Sequence, residues 1–134
     1  MSAASVAVPC RKRFTEPCRH GKQNPVERKK AGMTERLHDP TAHAEMIAIT
    51  AATEAMGGKY LADCTLYVTV EPCPMCSGAL NWAQIGRVVY GTLDPKRGYS
   101  LYSPSLFHPK TQIQAGVMAG ECSALIVDFF RGKR

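Results

Sequence analysis

The sequence predicts an α/β domain in which helices cover the faces of a parallel or mixed sheet. Three observations predict it. Short runs rich in β-branched and aromatic residues, Leu66–Val70 and Arg87–Gly91, alternate with segments of helical pattern. A last segment repeats apolar residues at i, i+3, i+4, i+7 and i+8: Cys122, Leu125, Ile126, Phe129 and Phe130. The two halves of one polar motif, His43-Ala44-Glu45 and Pro72-Cys73-Pro74-Met75-Cys76, each fall where a helix is expected to start.

The elements follow in order. Residues 1–38 hold no sustained period of 2 or 3.6, and only Val6-Ala7-Val8 is strand-like. The stretch from Cys10 to Lys30 is basic and broken by Pro17, Gly21 and Pro25, which reads as irregular chain. Residues 1–32 are therefore expected to be an atypical basic segment and 33–134 the domain proper. Asp39-Pro40-Thr41 is a helix-start signal with Asp39 or Thr41 as cap. The helix is expected over 42–56, stopped by Gly57-Gly58, with Met46, Ile47, Ile49 and Ala51 on its buried side. After the strand at 66–70, Pro74 opens a second helix to about Ile85, because a first-turn proline gives up no needed hydrogen bond. The strand at 87–91 leads into a long connection, 92–109, punctuated by Pro95, Gly98, Pro104 and Pro109; connections of that length in compact domains are usually functional or mobile. A short strand within 111–117 and a closing helix over 118–130 complete the chain, and one of Phe129 and Phe130 is expected in the core.

Composition narrows the class. A chain of 134 residues with 45% hydrophobic and 21% charged residues is one ordinary globular domain. No stretch has the apolar length of a membrane helix. The mildly apolar Met1–Pro9 is followed, not preceded, by the charges of Arg11, Lys12 and Arg13, the reverse of a secretory signal. A cytoplasmic location and reduced thiols are the expectation, with Cys64 and Cys122 as small buried hydrophobes. Residues 1–40 carry nine Lys/Arg against four Asp/Glu, so most of the net charge of +6 lies there and the remainder is almost neutral. Bulk basicity is thus weak evidence for a nucleic-acid surface.

The motif carries the chemistry. One imidazole, His43, and two thiols at C-x-x-C spacing, Cys73 and Cys76, form a three-ligand zinc set with one open position. Helix starts carry free N–H groups and partial positive charge, which favours the thiolate forms of both cysteines. Glu45, two residues from His43, is placed to move protons without ligating the metal. The H-x-E…P-C-x-x-C pattern as a whole is a zinc deaminase signature. A closed structural zinc site would need a fourth ligand, and the other histidines are only His20, His38 and His108.

At these residues the chain resembles the cytidine-deaminase-like superfamily, and within it bacterial tRNA-specific adenosine deaminases. The resemblance runs from about Thr34 to Arg134. It rests on Asp-Pro-Thr-Ala-His-Ala-Glu (39–45), Leu-Tyr-Val-Thr-Val-Glu-Pro-Cys-Pro-Met-Cys (66–76), Ile-Gly-Arg-Val-Val-Tyr-Gly (85–91), Asp94-Pro95-Lys96, Gly116-Val117 through Glu121-Cys122, and Asp128-Phe129-Phe130-Arg131. It implies a three-layer α/β/α fold with a mixed central sheet. It further implies one Zn²⁺ per chain on His43, Cys73 and Cys76, with Glu45 as proton shuttle. The activity implied is hydrolytic deamination of adenosine to inosine at the wobble position of the tRNA anticodon loop, by a homodimer. Ala44, Val70 and Pro72 would border the adenine, and Asp94 would approach the neighbouring ribose. Phe129 and Phe130 would lie near the anticodon loop. Lys96, Arg97, Lys110, Arg131 and Lys133, with Arg134, are candidates for phosphate contacts, although for any one of them alone a solvated surface charge is the favoured reading.

The resemblance breaks off upstream. Such enzymes begin with a helix and a two-stranded hairpin, and carry Asn where this chain has Gly32. A frameshifted or truncated start is expected, without that helix and first two strands, leaving the strand at 66–70 as an exposed apolar edge. Two other readings stay open: a deaminase of free guanine, cytosine or a nucleoside, and an inactive remnant. A basic RNA-binding arm on a vestigial core is a further one.

Overall fold

The computed structural model describes residues 6–8, 34–103 and 105–132. The element order is β1 (Val6–Ala7), α1 (Thr34–Leu37), α2 (Ala44–Met56), β2 (Thr65–Val70), α3 (Pro74–Trp82), β3 (Arg87–Thr92), β4 (Gln112–Gln114) and α4 (Ala119–Arg131), with a 3-10 turn at Tyr99–Leu101. The sheet order is β1-β2-β3-β4. β2, β3 and β4 run parallel, with Leu66 opposite Val88 and Val88 opposite Ile113. β1 is antiparallel to β2, with Val6 opposite Val68 and Ala7 opposite Tyr67.

That last pairing corrects one expectation. β2 is not a bare edge, because Val6–Ala7 supplies it with a partner at Tyr67 and Val68. Alternation explains why this short strand is held: Val6 and Val8, two apart, are both buried in the core. The expected irregularity of the segment from Cys10 to Lys30, and Gly32, lie outside the described residues.

The core forms between the sheet and the pair α2 and α3. It gathers Val6, Leu66, Val68, Val88 and Tyr90 from the strands with Ala48, Ala52, Leu80 and Ile85 from the helices and the turn after α3. The buried stripe of α2 is Ala44, Glu45, Ala48 and Ala52, while Met46, Ile47, Ile49 and Ala51 are half-buried. Small residues at i, i+4 and i+8 let this helix lie close against its neighbours. α2 ends as expected, at Gly57 in the left-handed conformation with its N–H on Glu54 O at 3.1 Å.

The other face of the sheet carries α4. Gly91 of β3 makes room for it, since a Cβ there would overlap Cys122 Sγ and lie 2.9 Å from Thr69 O. Of the expected apolar stripe, Cys122 and Ile126 are half-buried, while Leu125, Phe129 and Phe130 are exposed. Neither phenylalanine is a core residue; their rings stack edge-to-face on each other at 5.4 Å. Cys64 is buried, as expected of a small apolar residue, whereas Cys122 on α4 is only half-buried.

Candidate metal and active site

The site is built where two helices begin. Before α2, the Asp39 carboxylate accepts from the N–H and hydroxyl of Thr41 at 2.8 and 2.7 Å, which pulls its pKa below the ordinary carboxylate value. This closes a tight turn that delivers His43. The N-cap is His43 itself, without a side-chain cap bond, so neither Asp39 nor Thr41 caps the helix as expected. Its backbone is extended, φ −67° and ψ 154°. At the second start, Cys73 caps α3: its sulfur accepts from the Cys76 N–H at 3.5 Å, and Pro74 occupies the first helical position.

The three expected ligands meet. His43 Nδ1 lies 3.7 Å from Cys73 Sγ and 3.6 Å from Cys76 Sγ. All three donor atoms fall within 4.8 Å of one another. Tetrahedral zinc, with bonds of about 2.1 Å to nitrogen and about 2.3 Å to sulfur, separates such atoms by about 3.6 Å. The residues therefore fit the ion in donor chemistry and in spacing. Among the described residues no fourth His, Cys, Asp or Glu joins this group.

The two thiols do not respond alike. Cys73 is pulled down to about 5, chiefly by the hydrogen bond from the Cys76 thiol, with the His43 charge and first-turn N–H groups helping. Cys76 is pushed up by that same bond, then by burial and the negative charge of Glu45. A hydrogen bond between the two sulfurs favours the thiolate of Cys73 at the expense of Cys76. His43, Cys73 and Cys76 would hold a divalent cation here, and its charge would favour both sulfurs as thiolates with loss of the thiol proton.

Glu45 lies in the first turn of α2 and is only 5% exposed. Burial raises its pKa above the ordinary carboxylate value. One of its oxygens, Oε2, is buried without a hydrogen-bond partner. A buried, unpartnered carboxylate oxygen costs stability unless a ligand or water completes it. That orphan oxygen, beside an incomplete ligand set, is the strongest sign of a reaction site.

The remaining expected residues are spread around this centre. Ala44 is fully buried between His43 and Glu45, Pro72 is buried before Cys73, and Val70 is half-buried at the end of β2. Asp94 is half-buried in the 92–109 connection, where its Oδ1 accepts from the Lys96 and Arg97 N–H groups at 3.0 Å each. Lys96 and Arg97 are exposed on that turn, Lys110 is exposed at its far end, and Phe129, Phe130 and Arg131 are exposed on α4. Lys133 and Arg134 lie outside the described residues.

Sequence reasoning missed Glu71 and Tyr99. The buried Glu71 carboxylate accepts from the Asp94 and Ser100 N–H groups. Tyr99 donates its N–H to Pro72 O at 3.0 Å and packs edge-to-face on Phe107, with ring centroids 4.7 Å apart. An acidic residue ending an apolar strand was the available signal for Glu71; Tyr99 offered none beyond its aromatic ring. The 92–109 connection is thus anchored to the core, not loose.

Residues 22–92 match the family model of the cytidine and deoxycytidylate deaminase zinc-binding region, and the match contains both halves of the motif. The chain is 42% identical over 98 residues to a tRNA-specific adenosine deaminase of Bacillus subtilis, covering 69% of this chain and 61% of that protein. It is 40% identical over 106 residues to one of Agrobacterium fabrum, covering 75% and 70%. A solved structure from work on A-to-I editing by tRNA:A34 deaminases superposes with a TM-score of 0.68 at 30% identity, over 91% of this chain and 83% of that one. A guanine deaminase of Nitrosomonas europaea shares the fold, with a TM-score of 0.65 at 16% identity over 94% and 71%. The family match spans the same two helix starts that assemble His43, Cys73 and Cys76, and the chain belongs to the cytidine and deoxycytidylate deaminase zinc-binding family.

Proposed function

We propose that the chain deaminates adenosine to inosine in the tRNA anticodon loop, at the wobble position, by zinc-dependent hydrolysis. The carrying observation is the orphan Oε2 of Glu45 beside the His43–Cys73–Cys76 cluster. Similarity to proteins named tRNA-specific adenosine deaminase, at 40–42% identity, supports RNA adenosine as the substrate. Residues 33–134 are read as the catalytic unit. A homodimer and a cytoplasmic location belong to the same reading. No helix of the described residues is long and apolar enough to cross a membrane.

His43, Cys73 and Cys76 hold the zinc. When bound, it lowers the pKa of water enough to supply hydroxide near neutral pH. Glu45 takes the proton of the attacking water, passes it to the ring nitrogen next to the reacting carbon, and later protonates the departing amine. One water is consumed, one ammonia leaves, and adenine becomes hypoxanthine. The burial of Glu45 keeps bulk water from competing for that proton. Ala44, Val70 and Pro72 wall the base, and Asp94 faces the adjoining ribose, where a 2′-hydroxyl distinguishes RNA from DNA. Phe129 and Phe130 approach the loop, and Lys96, Arg97, Lys110, Arg131 and Lys133 meet its phosphates.

The test is digestion and mass analysis of an anticodon stem-loop incubated with zinc-loaded protein, beside free guanine, cytosine and nucleosides. Inosine at the wobble position is the expected result. Turnover of a free base with no inosine in RNA would overturn the proposal in favour of a nucleobase deaminase. Folded, zinc-loaded protein with no turnover at all would favour the inactive remnant.

A further inference from the structure

We propose that Glu71 is a positioning residue: its carboxylate locks the loop carrying Asp94, Lys96 and Arg97 onto the strand end that leads into Cys73. It thereby sets how substrate is held over the metal-ligand cluster. This rests on the deaminase reading above for the substrate, though not for the lock itself.

Glu71 is 3% exposed, and its two oxygens divide the work. Oε2 accepts from the Asp94 N–H at 3.1 Å, and Oε1 from the Ser100 N–H at 3.0 Å. Its own N–H donates to Thr92 O at 2.9 Å, and the next residue, Pro72, accepts from the Tyr99 N–H at 3.0 Å. Two consecutive residues, immediately before the first zinc thiolate, thus make four bonds to 92–100. Hydrogen bonds to a charged acceptor are stronger than neutral ones, and burial sharpens them.

Within the turn itself no apolar side chain is buried. None of residues 93–97 is buried; Leu93, Pro95, Lys96 and Arg97 are exposed and Asp94 is half-buried. The position of the turn depends on Glu71 at Asp94 N and on the Asp94 carboxylate at Lys96 N and Arg97 N. The two carboxylates work in series: one fixes Asp94, and Asp94 fixes the backbone of Lys96 and Arg97.

Gly98 provides an independent observation. Its backbone, φ −63° and ψ 145°, suits any residue. Yet a Cβ there would overlap Glu71 Oε2 and come within 2.7 Å of Asp94 O. The absence of a side chain at 98 is required by the Glu71 carboxylate and the Asp94 carbonyl packed against it, not by its own φ and ψ.

The test uses zinc-loaded full-length protein carrying Glu71→Gln. The amide has the same shape but one acceptor oxygen, so its NH2 must face one of the two N–H donors. The expected result is full zinc occupancy with amide exchange at Asp94 or Ser100 faster by about tenfold or more, while β2 and β3 stay protected. KM for an anticodon stem-loop should rise about tenfold, with kcat within about threefold. Gly98→Ala should reproduce both changes with Glu71 intact, and the double variant should add little more. Unchanged exchange at both amides, or a fall in kcat at constant KM, would overturn the proposal. If Glu71→Gln fails to fold, Glu71→Asp, which keeps the carboxylate but shortens its reach to the two N–H groups, decides by the same readouts. If the unmodified protein makes no inosine, the substrate reading fails while amide exchange still decides the lock.

Discussion

Helices α2 and α3 cover one face of the sheet and α4 the other, and the two faces are finished differently. The first face buries Ala44, Ala48, Ala52 and Leu80 and carries every ligand of the metal cluster. The second buries no residue of α4, leaving Leu125 62% exposed and Phe130 42% exposed. The sequence pattern points the other way: α4 has the cleaner amphipathic stripe, while α2 is apolar on nearly every side. Periodicity tells which residues of a helix share a face, but what lies opposite decides whether that face is buried. Opposite α2 stand α3 and the sheet with β1; among the described residues α4 packs on β3 and β2, with Cys122 over Gly91.

The largest test of this asymmetry is at the metal. Cys73→Ala removes a ligand and the α3 cap together, so bound zinc should be lost and activity with it, as metal analysis will report. Glu45→Gln should leave zinc at one per chain and lower kcat roughly 10³-fold. Equal loss of zinc in both variants would contradict their separate roles. Next comes packing. Leu80→Ala, at a fully buried site, should cost about 3 kcal/mol in urea unfolding. Gly91→Ala forces Cys122 away from β3 and should cost about 1–2 kcal/mol, only partly relieved by adding Cys122→Ala, since the Cβ at 122 and Thr69 O remain in the way. Smallest of all, Leu125→Ala should change stability by less than about 0.5 kcal/mol. A loss above about 1 kcal/mol there would mean that the α4 face is covered in solution, and the contrast between the faces would vanish.

What the sequence disclosed follows the distance over which each feature is determined. The helix starts and the ligands were legible because C-x-x-C and H-x-E each lie within one turn of helix. β2 and β3 were legible from their β-branched runs. Glu71 was not, because its partners, Asp94 and Ser100, come 23 and 29 residues later in the chain. The alanine stripe of α2 was hidden by larger apolar neighbours that stay half-buried. β1 was glimpsed as Val6-Ala7-Val8, yet nothing local linked it to Val68.

That pairing has a consequence for how the molecule is made. Val6 meets Val68, so the strand protecting β2 is synthesised about sixty residues ahead of its partner. Closing so long a loop for a two-residue ladder is entropically slow, whereas parallel pairing of β2 with β3 needs only the α3 crossover. β2 and β3 should therefore assemble first, with the β2 edge briefly open before β1 arrives. During that interval the edge can accept a strand from a neighbouring molecule, which makes chain concentration during folding a determinant of yield.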